Sequence, residues 1–223
     1  MVKFERPDSS EAHVAIESLK REKRKGSGKY NTNEVNKALG LMFAHKCYLC
    51  EKKDLDNLQI EHLVPHRGNR DLMFDWENLF LSCNHCNNIK NDKFTPILDC
   101  TKVDKKIAFR RHSEPFMPDK LEITALEDDV ETRNTVALLN EVYYGSTAQK
   151  IEEAKIIRKQ LSKELNAFEE CVTDYNAADG EDKKDLELSI MMKLKWNAPF
   201  AAFKRWMIRD ASDKFPELLK YCQ

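Results

Sequence analysis

Two cysteine pairs, Cys47-x-x-Cys50 and Cys83-x-x-Cys86, stand 32 residues apart and constrain this chain more than any other feature. A C-x-x-C turn presents two sulfurs from one knuckle. Two knuckles together supply the four thiolates of a tetrahedral structural zinc site. The chain has seven cysteines, an odd number that excludes a complete disulfide framework within one molecule. The remaining three, Cys100, Cys171 and Cys222, are scattered and read as ordinary thiols. Zinc on Cys47, Cys50, Cys83 and Cys86 would close the intervening segment into a loop. In small domains such binding is worth about 10–16 kcal/mol.

Within and after that loop the chain reads IEHLVPH (60–66), WENLFLSC (76–83) and CNNIKND (86–92). Residues 58–64 and 79–82 have the composition of short strands, the first ended by Pro65, and 87–93 of a short helix. The predicted order is strand, polar loop, strand, helix. Glu61 and His62 are adjacent, and successive strand residues face opposite ways. They share one site only where the strand is ending, which Pro65 favours.

The ordered elements C-x-x-C, Glu-His-x-x-Pro, Asn-Leu, C-x-x-C-Asn and a following Lys resemble the HNH nuclease superfamily with its ββα-metal site, over residues 47–93. The resemblance implies a phosphodiester hydrolase. His62 takes the place of the general base, and Glu61 that of the acidic metal ligand. Asn78 matches the residue that steadies the loop, and Asn87 a second metal ligand. Lys90 matches a phosphate-contacting lysine. Apart from the resemblance, His66, Arg67 and Arg70 are basic residues read either as lining the DNA path or as surface charge, and His85 is expected at the surface. An imidazole titrates near neutrality and can accept a proton from water. A carboxylate and an amide oxygen suit magnesium or manganese.

Outside this core, EAHVAIESLKREKRK (11–25) reads as a helix broken by Gly26, Ser27 and Gly28. Residues 33–45 place Val35, Leu39, Met42 and Phe43 on a second helical face. The net charge of −1 conceals a basic segment: residues 20–46 carry eight Lys and Arg against two Glu. That run is either a solvated helix end or a phosphate-facing surface.

Beyond residue 125 the pattern is helical. Helices are predicted over 128–144, 151–178, 182–195 and 198–210. The second carries Ile151, Ala154, Ile157, Leu161, Leu165, Phe168, Val172 and Tyr175 at steps of three and four. The expected fold is α+β and mostly α. A small zinc-stapled ββα-metal core (47–114) is flanked by an N-terminal helical segment (1–46) and an all-helical C-terminal region (115–223), the boundary falling near 115–125 at Pro115 and Pro118 and the C-terminal region read as a partner-docking surface centred on 128–178.

A looser resemblance spans most of the chain. DWENLFLSCNHCNNIKNDKF, PILDCTKVDKKIAF (96–109) and TVALLNE (135–141) together resemble PtuB nuclease subunits of Septu and retron-associated antiphage systems, although PILDCT departs from a more usual Asp-Pro. The implied partners are DNA and a PtuA-like ATPase, in a bacterial cytoplasm. No apolar run approaches a membrane span, and the first residues lack a signal-peptide core. A stand-alone restriction or mobile-element nuclease, and a zinc-knuckle DNA-binding or adaptor module without catalysis, are the alternatives.

Overall fold

The computed structural model describes residues 1–53, 58–103 and 105–222. Two helices open the chain. α1 (Ser10–Lys23) starts where the Ser9 side chain accepts the Ala12 amide, and α2 (Asn33–Met42) where Thr32 does the same for Val35. Ala12, Ala15 and Leu19 of α1 face α2, which buries Val35, Ala38, Leu39 and Met42 in return. Spacings of three and four put each set on one stripe.

β1 (Leu58–His62) pairs antiparallel with β2 (Leu79–Cys83) in the register Glu61 opposite Phe80 and His62 opposite Leu79. The connection contains one short helix, α3 (Arg70–Met73), and a 3-10 turn, Trp76–Asn78. α4 (Asn84–Lys90) leaves β2 directly and packs across both strands. This is the strand, loop, strand, helix order expected from the sequence.

The first cysteine knuckle docks on this unit through the Tyr48 amide, which donates to the Leu81 carbonyl at 3.0 Å. Buried charges at its flanks fasten the two ends of the chain to it. Lys46 donates to the carbonyls of Trp196 (2.6 Å) and Ala198 (2.7 Å). Glu51 accepts the amides of Val2 (2.9 Å) and Ala202 (3.0 Å).

The remainder is mostly helical, in keeping with the expected class. α5 (Val130–Tyr144), α6 (Ala148–Ala177), α7 (Gly180–Leu194) and α8 (Ala201–Asp210) follow one another, and a 3-10 turn spans Pro216–Tyr221. The all-helical expectation holds from Val130 onward but not from residue 115. β3 (Ile107–His112) and β4 (Lys120–Ala125) form a second hairpin across the 114/115 division. Pro115 and Pro118, read as a boundary, lie in its connection.

The stripe on α6 also corrects an expectation. Ala154, Ile157, Leu161, Leu165, Phe168 and Tyr175 are buried inside the chain. α6 packs against α5, α7 and α8, so these six side chains serve the core, while Ile151 of the same stripe is exposed and Val172 half-buried.

Candidate active site

The four thiols converge as the spacing requires. The Sγ atoms of Cys47, Cys50, Cys83 and Cys86 all lie within 4.8 Å of one another, and all four residues are buried. Cys50 and Cys83 are 3.9 Å apart. Ligands about 2.3 Å from a tetrahedral zinc lie roughly 3.8 Å from each other, so the cluster has the dimensions of a zinc site. The remaining thiols are buried elsewhere. Burial pushes Cys100 and Cys222 above the ordinary thiol range, the wrong direction for a reactive thiolate.

His85, between the second pair of cysteines, is not at the surface. Its Nδ1 is 2.7 Å from Glu153 on α6, and its Nε2 is 2.8 Å from the Val142 carbonyl on α5. The Tyr143 hydroxyl donates to the Cys50 carbonyl at 3.1 Å. The knuckles thus grip the helical region as well as the sheet.

Beside the ββα unit runs an open groove of about 310 Å³, lined by Glu61, His62, His66, Arg67, Asn87 and Lys90 together with Tyr30. Larger cavities of about 540 and 830 Å³ lie elsewhere and include none of the candidate catalytic residues.

β1 ends at His62, which resolves the opposite-face difficulty. Glu61 turns toward α4 while His62 turns toward the loop, and both reach the groove. His62 Nε2 is 3.0 Å from the Met73 carbonyl. A carbonyl only accepts, so Nε2 carries the proton and the neutral ring keeps its lone pair at Nδ1. Burial lowers the His62 pKa below the ordinary imidazole value, against the pull of the Met73 hydrogen bond, and so favours that neutral ring. The edge contacts of Tyr30 at 4.6 Å and His66 at 4.7 Å, centroid to centroid, flank the imidazole.

Asn78 is buried and uses its whole amide. Its Oδ1 accepts the Val64 amide at 2.8 Å, and its Nδ2 donates to the carbonyls of Val64 (2.9 Å) and Leu72 (3.0 Å). These bonds pin both sides of the loop whose next residue, Met73, orients His62.

Glu61 is 5% exposed and Lys90 1% exposed. Glu61 Oε1 is in ion-pair contact with the Lys90 ammonium, and Oε2 accepts the Tyr48 hydroxyl at 2.7 Å. Lys90 also donates to the His62 carbonyl at 2.9 Å. Burial raises the Glu61 pKa above the ordinary carboxylate value, with Lys90 and Tyr48 acting in the opposite direction. Asn87 donates through Nδ2 to Gln59 Oε1 at 2.8 Å, which leaves its carbonyl oxygen as a potential ligand.

The donor set therefore fits a hard divalent cation in its chemistry. Each carboxylate oxygen has two lone pairs, so the contacts with Tyr48 and Lys90 do not exhaust Glu61. Lys90 is nevertheless a positive charge already seated there.

The residues implied in phosphate contact divide. His66 lines the groove, and Arg67 is exposed and paired with Asp92 at 3.1 Å. Lys90 is buried on Glu61. Arg70 points away, donating to the carbonyls of Lys23 (2.5 Å) and Lys25 (2.7 Å) at the end of α1. Tyr30, Tyr48 and the Met73 carbonyl were not singled out from the sequence. Only Tyr48, a hydroxyl between the two cysteines of the first knuckle, carried a local signal.

Residues 47–93 match the family model described as HNH endonuclease. That match and the four-cysteine cluster support the HNH superfamily. No curated protein and no solved structure matches the chain. Among the described residues, no helix is long and apolar enough to cross a membrane.

Proposed function

We propose that this chain, carrying an HNH endonuclease domain over residues 47–93, is a metal-dependent DNA endonuclease that hydrolyses phosphodiester bonds. The observation that carries the reading is the contact of His62 Nε2 with the Met73 carbonyl. Met73 fixes the proton on Nε2, and Nδ1 is the nitrogen able to take a proton from water. Asn78 holds the loop that supplies the Met73 carbonyl. Glu61 and Asn87 are the residues assigned to a magnesium or manganese ion. Such an ion, when bound, stabilises charge on the phosphate and on the departing oxygen. His66 and Arg67 are assigned to the flanking phosphates. Cys47, Cys50, Cys83 and Cys86 hold structural zinc and do not enter the chemistry.

The finer reading is a nuclease effector of an antiphage system, working in a bacterial cytoplasm with a PtuA-like ATPase. Its support is the similarity outside the core, at 96–109 and 135–141. Because most of the α6 stripe is internal, the ATPase would have to engage other surfaces.

The test is conversion of supercoiled plasmid by the purified protein in magnesium or manganese, beside His62→Ala. Cleavage by the wild type, reduced about 10²–10⁴-fold in the variant, is the expected result. If both are inactive alone and with the ATPase, while zinc and DNA are still bound, the chain is a binding module.

A further inference from the structure

The most basic stretch of the chain lies outside the matched domain, yet Tyr30, which follows it, lines the groove. The Arg70 guanidinium donates to the carbonyls of Lys23, the last residue of α1, and of Lys25 just beyond it, and fixes that helix end against α3. Lys23 pairs with Asp71 at 2.6 Å across the same junction. Tyr30 then reaches His62.

The turn between these anchors is closed by its own hydrogen bonds. The Lys25 amide donates to the Glu22 carbonyl at 3.1 Å, and the Lys29 amide to Glu22 Oε2 at 3.1 Å. A Cβ on Gly28 would come within 1.8 Å of the Glu22 carbonyl oxygen, so the close approach requires glycine there. Arg24, Lys25 and Lys29 are exposed on this ordered turn, and the Lys25 ammonium is in ion-pair contact with Glu22, a partner that a phosphate would have to displace.

We propose that Arg24, Lys25 and Lys29 form a phosphate-binding rail that holds the nucleic-acid backbone flanking the scissile phosphate. The inference rests on the nuclease reading and adds a second binding element, outside the HNH domain, to the same substrate. Three cations spread along a turn suit a polyanionic strand better than one small anion. Tyr30, the residue after Lys29, lines the groove and packs on His62, which places the turn beside the site. A pre-ordered turn binds without the entropy of ordering a loose arm. Each neutralised phosphate releases condensed counterions, so the rail acts without reading sequence.

The experiment measures binding of a short mixed-sequence DNA duplex over a salt series, in a His62→Ala background. The comparison protein adds Arg24→Gln, Lys25→Gln and Lys29→Gln. A third protein keeps the charges as Arg24→Lys, Lys25→Arg and Lys29→Arg. The rail predicts that the slope of log affinity against log salt falls by about 2–3 in the Gln protein and is retained in the charge-conserving one. Equal slopes in the parent and the Gln protein overturn the rail and leave the nuclease reading standing. Loss of slope in the charge-conserving protein also overturns it. No binding by the parent at low salt overturns the rail and the nuclease reading together.

Discussion

Lys90, the last residue of α4, places its ammonium against the carboxylate of Glu61 on β1, and neither side chain is more than 5% exposed. The same ammonium donates to the carbonyl of His62. One buried cation thus joins the helix carrying Asn87 to the strand carrying Glu61 and His62. It supplies positive charge at the carboxylate assigned to the divalent ion.

Lys90→Met removes that charge and leaves the Glu61 carboxylate buried without a counter-ion. Breaking a buried pair in this way costs about 3–5 kcal/mol. A divalent cation on Glu61 and Asn87 would restore part of it, since binding to the folded state at a hundredfold excess over Kd adds about 2.7 kcal/mol. Urea unfolding with and without manganese should show a larger metal-dependent gain in the variant than in the wild type. Equal gains would mean that Lys90 and the cation do not compete for Glu61.

Asn78→Ala removes three hydrogen bonds from a loop whose geometry fixes the His62 tautomer. The stability loss should be about 1–3 kcal/mol, because the Val64 amide loses its partner. Turnover should fall about a hundredfold, with little change in KM, because the imidazole rather than substrate binding is disturbed. Asn78→Asp keeps the acceptor for Val64 but turns a buried carboxylate oxygen toward the carbonyls of Val64 and Leu72, so it should be no more stable than the Ala variant. A variant with intact zinc and undiminished turnover would show that the loop holds Met73 without Asn78.

Zinc removal should dismantle more than the knuckles. Tyr48 ties the first knuckle to Glu61, Tyr143 bonds the Cys50 carbonyl, and His85 joins the second knuckle to α5 and α6. One zinc per chain is expected by elemental analysis. Cys50→Ala, or a strong chelator, should abolish cooperative unfolding of the nuclease core, since structural zinc binding is folding free energy. An undiminished thermal transition without metal would mean that the thiols pack as a core cluster and hold no zinc.

What the sequence disclosed followed from how local each signal was. The cysteine spacing and the Glu61-His62 pair led to the four-cysteine cluster and the groove, because each signal sits in a short stretch of chain. The α6 stripe was legible as a helix, but not as a core element. A period of three and four fixes which residues share a face and says nothing of whether that face meets the same chain or another. The β3–β4 hairpin was hidden by Pro115 and Pro118, which mark a turn as readily as a boundary. Lys90 was assigned to phosphate by the resemblance and Arg70 by its charge. Their actual partners, Glu61 and the end of α1, come from segments 29 and about 45 residues away in the chain.

Glu141 on α5 gives a stability prediction independent of the catalytic reading. Its carboxylate accepts Lys93 at 2.8 Å, the Ser146 hydroxyl at 2.6 Å and Lys150 at 3.2 Å, joining the chain beyond α4 to the start of α6. These partners, Lys93 first, hold its pKa down to about 2, well below the ordinary 4.5. A depressed carboxyl pKa stabilises the fold above the unfolded-state value and loses that contribution as pH falls through the folded-state value. The contribution should therefore be complete above about pH 5 and disappear progressively down to about pH 2. Glu141→Gln should cost about 1–2 kcal/mol at neutral pH, once the exposure of Lys93 is allowed for. Urea midpoints at a series of pH values should show wild type and variant converging toward the acid end. A gap that stays constant across that window would place the cost in lost hydrogen-bond geometry rather than in the carboxylate charge.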